Sequence, residues 1–120
     1  MRRFPSIEAL RKKAAKLGIK LTRGSFGIYV QDGVWTPEFG YGCCPLGVAL
    51  VGLPFEGTDE VDAAVNDAAK YFGYTPAYWS HFFDGVDNPI PTIGDGSKKR
   101  AFLRGQRYAE ALIPPTTGTS

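Results

Sequence analysis

Ile7, Leu10, Ala14 and Leu17 recur at steps of three and four, the spacing of one apolar stripe on a helix. Ser6 stands before the stripe as an N-cap, Glu8 falls in its first turn, and Gly18 follows it as a left-handed stop. The next helix is short: Cys44 through Gly52 is apolar all round, with Pro45 at its first position and Gly52 closing it, which predicts burial. Val61, Ala64, Val65, Ala68 and Phe72 then repeat at helical spacing between Thr58 as N-cap and Gly73 as stop. Thr75-Pro76 opens another helix at once, with Trp79, Phe82, Phe83 and Val86 on one face. A last helix runs from about Ser97 to Ile113, where Pro114-Pro115 ends it. Ala101, Gly105, Tyr108 and Leu112 form its packing face.

Between the first two helices the period changes. Ile19–Thr22 and Phe26–Val30 read as strands joined by Arg23-Gly24-Ser25, a hairpin, with Val34-Trp35-Thr36 as a short third strand after Asp32-Gly33. The expected fold is therefore α+β and mainly helical, with about five helices and an N-terminal β-hairpin. A chain of 120 residues suits one domain spanning 1–120, with 116–120 as a loose tail.

Charge changes this picture more than composition does. The net charge of +2 conceals +7 over residues 1–23, −9 over 24–96 and +4 over 97–120. Two readings follow: the basic ends compensate the acidic middle within the fold, or they form a surface for an anionic partner. No apolar run approaches the roughly 20 residues of a membrane helix, and the basic Met1-Arg2-Arg3 start lacks a following hydrophobic stretch. Two adjacent cysteines cannot make a disulfide framework, so a reducing cytoplasmic setting is expected.

Three constellations carry possible chemistry. Cys44 at a helix start feels a dipole that lowers a thiol pKa, and the lone His81 with Asp84 one turn on could complete a nucleophilic triad. The competing reading is a packed thiol beside a surface pair. Ala69, Gly73 and Trp79 have the spacing of a helix-turn-helix, resembling the DNA-binding motif of phage-repressor-type proteins, with 75–83 as the reading segment. Residues 58–88 nevertheless carry a net −5, and Tyr78, Ser80, His81 and Asp84 offer no strong base-reading groups. Arg100, Arg104 and Arg107, four and three apart, share a helix face suited to phosphates or carboxylates, and Lys12, Lys13 and Lys16 could extend it. Trp35, Phe39 and Tyr41 are either core plugs or contact residues. One His with two contiguous Cys lacks zinc-ligand spacing, and no dinucleotide or P-loop glycine pattern occurs, so neither metal nor cofactor is expected.

Gly33-Val34-Trp35 through Cys43-Cys44-Pro45-Leu46-Gly47, and Phe82-Phe83-Asp84-Gly85-Val86-Asp87 followed by a helix containing Gly105, resemble a group of small bacterial and phage proteins. These have a Cys-Pro-Leu-Gly helix start and a Phe-x-x-Gly-Phe-Asp-Gly-like helix end. The resemblance implies a single compact domain with both motifs structural, and brings no activity with it. The expectation is a non-enzymatic binding protein contacting an anionic ligand, nucleic acid or protein through Arg100, Arg104, Arg107, Lys12, Lys13 and Lys16, with Trp35. DNA binding through 75–83 and thiol hydrolysis by Cys44, His81 and Asp84 are the alternatives.

Overall fold

In the computed structural model, residues 2–23, 26–38, 42–56, 63–88 and 100–113 are described. Helix α1 spans Ile7–Leu17; the Ser6 hydroxyl accepts from the Ala9 N–H at 3.1 Å, and Gly18 caps the far end at φ 69°. Strands β1, Ile28–Gln31, and β2, Val34–Pro37, are antiparallel. The remaining helices are α2 (Pro45–Leu50), α3 (Ala63–Phe72), α4 (Pro76–Asp87) and α5 (Arg100–Leu112). The protein is an α+β fold, mainly helical, with a two-stranded sheet towards its N-terminus. The Thr58 cap, Phe39, Tyr41, the Ser97 start, Pro114-Pro115 and the 116–120 tail lie outside the described residues.

The hairpin forms one segment later than its strand-like composition suggests. Asp32 and Gly33 both have positive φ, 53° and 75°, the arrangement of a type I′ turn, and Gln31 pairs with Val34 across it. Asp-Gly fits that turn far better than Arg23-Gly24-Ser25, so Ile28–Gln31 pairs forward with Val34–Pro37. Leu21 makes an isolated parallel bridge to Cys43 instead, with Thr22 N–H donating to the Cys43 carbonyl at 2.8 Å. The free side of β2 is occupied by the chain after α2: Trp35 N–H donates to Leu53 O at 3.0 Å and Phe55 N–H to Gly33 O at 2.7 Å.

One core joins these elements, from Leu10 on α1 through Trp35 and α2 to Trp79, Phe82 and Tyr108. Phe4, ahead of α1, sits at a crossing of rings, with centroids 4.8 Å from Trp79, 5.1 Å from Phe72, 5.3 Å from Phe82 and 5.5 Å from Tyr108. Tyr108 also donates its hydroxyl to Pro5 O at 2.8 Å. Helices α4 and α5 approach closely at two glycines. A Cβ on Gly85 would lie 2.0 Å from Phe102 O, and one on Gly105 2.0 Å from Phe82 O. This contact holds the tyrosine-bearing start of α4 against the arginine-bearing face of α5.

Candidate functional site

A tight turn joins α3 to α4. Gly73 (φ 88°) and Tyr74 (φ 64°) turn the chain, Thr75 caps α4 by accepting from Tyr78 N–H at 3.1 Å, and Trp79 fills the angle. The Trp79 indole donates to Gly73 O at 2.8 Å. Tyr74 is two-thirds exposed, and its ring lies parallel to that of Tyr78, with centroids 4.0 Å apart.

Arg104 meets this corner from α5. Its Nη1 donates to the Tyr78 hydroxyl at 3.0 Å, and its guanidinium lies 5.1 Å from the Phe4 ring centroid, 5.7 Å from Tyr108 and 5.9 Å from Trp79. Burial acts to lower its pKa, but the Tyr78 and Tyr108 hydroxyls outweigh that and hold it above the ordinary arginine value. Among the described residues no carboxylate pairs with this cation, which ring faces hold instead. Arg2 is tied by its N–H to Tyr71 O at 2.7 Å, with its guanidinium 5.7 Å from the Tyr71 ring.

Two adjoining depressions result. Arg2, Arg3 and Arg104 line one, with Phe4 and Tyr74. Arg100, Arg104 and Arg107 line the other, with Tyr78, Leu103 and the same Tyr74. The three predicted α5 arginines are thus brought together, and the structure adds Arg2, Arg3 and Tyr74, which sequence reasoning missed. Tyr74 carried a signal: it follows Gly73 in the tight corner, outside both apolar faces.

The lysines are placed elsewhere. Lys12, Lys13 and Lys16 line neither depression. Lys13 donates to Ala49 O at 3.2 Å, and burial, then the Arg2 charge, lowers its pKa. Lys12 and Lys16 are exposed on α1, while Arg11 pairs with Glu8 and donates to Ala111 O at 3.1 Å. Among the described residues, Arg11–Glu8 is the one ion pair, so the arginine face is not neutralised by the acidic middle there.

Trp35 is an interior residue. It is 6% exposed, and its Nε1–H donates to Asp67 Oδ2 at 2.6 Å. Asp67 is fully buried on α3, and the same oxygen accepts from Glu56 N–H at 3.1 Å. Nothing in the α3 periodicity marked this acid as internal.

The thiol reading loses its premise. Cys44 caps α2, accepting from Gly47 N–H at 3.3 Å, yet burial pushes its pKa from 9.0 up to about 12, and that of Cys43 to about 11. Desolvation outweighs the dipole of a six-residue helix. His81 lines a depression with Tyr78 and Arg100 that does not include Cys44. Its Nδ1 is buried without a hydrogen-bond partner, so Asp84 does not orient it there. Asp84 is exposed, as are Ser80 and Asp87, while the Arg23 guanidinium donates to the Val86 carbonyl near the end of α4.

No group of three metal-ligating side chains occurs among the described residues, and no helix there is long and apolar enough to cross a membrane. No protein-family model, curated protein or solved structure matches the chain.

Proposed function

We propose that this is a non-enzymatic binding protein that takes an anionic partner on the face made by Arg2, Arg3, Arg100, Arg104 and Arg107 around Tyr74. The observation that carries this reading is the convergence of arginines from both ends of the chain on two depressions sharing one tyrosine wall. Guanidinium groups grip phosphates and carboxylates bidentately, and Arg104 is prepositioned by rings and a phenol hydroxyl that leave its charge uncancelled. Attraction to several exposed cations weakens as salt screens them.

Retention on a heparin column, eluted by salt, tests the face directly. Arg100→Glu/Arg107→Glu and Lys12→Glu/Lys16→Glu change the net charge equally. The arginine pair is expected to elute at much lower salt than the lysine pair, which stays nearer the unsubstituted protein. Equal elution of the two variants would reduce the effect to overall charge and remove the site.

A further inference from the structure

Resting on that reading, we infer that the anionic partner is a single-stranded nucleic acid, one base of which stacks on Tyr74 while flanking phosphates meet the arginines. Tyr74 is a non-glycine residue held at φ 64°, a region that costs a bulky side chain of order 1 kcal/mol or more. Glycine or asparagine would turn the corner without that strain. The ring stays 67% exposed, touching the core through an edge contact with Trp79 at a centroid separation of 6.3 Å. What Tyr74 contributes is a flat aromatic face, backed by Tyr78 at an interplanar angle of 8°. Arg2 and Arg3 line one depression beside it and Arg100 and Arg107 another, with exposed Leu103 among the α5 cations.

An aromatic platform flanked by cations matches the two needs of an unpaired strand, a stacking surface for a base and positive charge for its backbone. A duplex keeps its bases stacked on one another and offers none to Tyr74. Its approach along α4 would also meet exposed Asp84 and Asp87. A simple polyanion would use the arginines and leave the tyrosine idle.

Fluorescence anisotropy with labelled oligothymidine and oligouridine of about 12 nucleotides separates these cases. A duplex of the same length and inorganic polyphosphate serve as competitors. Tyr74→Asn removes the ring while suiting the backbone, so it is expected to stay folded, by thermal melting, and to bind the single strands about tenfold more weakly. Tyr74→Phe is expected to bind like the unsubstituted protein, and neither duplex nor polyphosphate should compete as well as unlabelled single strand. Undiminished single-strand binding by Tyr74→Asn, with loss in Arg100→Glu/Arg107→Glu, would overturn the stacking inference and leave the anion-binding face standing. Preference for duplex or polyphosphate would overturn it in the same way. Binding of none of these probes, together with no heparin retention, would overturn both.

Discussion

Trp35 and Trp79 are both buried and both satisfy their indole N–H, but what surrounds each is opposite in sign. Trp35 donates to the carboxylate of Asp67, an anion enclosed with its donors inside the fold. Trp79 donates to a backbone carbonyl and lends its ring face to Arg104, a cation held at the surface. In the first region the carboxylate is tied into the fold: one Asp67 oxygen takes two N–H donors from distant segments and fixes the loop after α2 against α3, while Oδ1 is buried without a partner. In the second, rings position the charge without cancelling it. Reading a charged residue as structural or available therefore depends on whether its neighbours tie it down with hydrogen bonds inside the fold or offer mainly polarisable ring surface.

The largest effect is expected at the enclosed carboxylate. Asp67→Ala leaves the Trp35 and Glu56 N–H groups without their acceptor and should cost about 3 kcal/mol in urea unfolding. Trp35→Phe should cost much less in that background than alone, a coupling that additive losses would disprove. The buried thiols come next. Their folded pKa values stand above 9.0, so the neutral form is favoured on folding, and its stabilisation is complete below pH 9 and fades as pH rises towards 11 and 12. Stability should fall by about 2 kcal/mol between pH 8 and 10, and by less in Cys43→Ala/Cys44→Ser. In the folded protein near neutral pH, neither thiol should react readily with a disulfide reagent. Arg104→Met is the mildest change. It keeps the stem against the rings and loses the charge, costing about 1 kcal/mol of stability. A loss as large as that of Asp67→Ala would mean that both charges are structural.

Much of the helical frame was legible because its signals are local. Ser6 and Gly18 bracket α1, Pro45 opens α2, and Thr75-Pro76 and Trp79 define the corner, each acting within a few residues. The hairpin was misplaced where composition and turn chemistry disagreed: Ile19–Thr22 has strand-forming residues, but Asp32-Gly33 has the stronger turn. The site was half visible. Arg100, Arg104 and Arg107 share a helix face by spacing alone, whereas Arg2 and Arg3 join them only because Phe4 is drawn into the core. Asp67 went unmarked and Trp35 was placed with the binding residues for the same reason, since each explains the other's burial across 32 residues of chain. The Cys44 pKa went the other way because a short helix's field is weaker than complete removal from water.

The ring crossing at Phe4 has a consequence for biosynthesis. Its socket is built from α3, α4 and Tyr108, and the Tyr108 hydroxyl closes on Pro5 over 103 residues of chain. During synthesis this phenylalanine stays unhoused until α5, whose Tyr108 lies 103 residues beyond Pro5, has emerged. That closing contact joins the segment ahead of α1 to α5, and sets Arg2 and Arg3 beside Arg104 in the same movement.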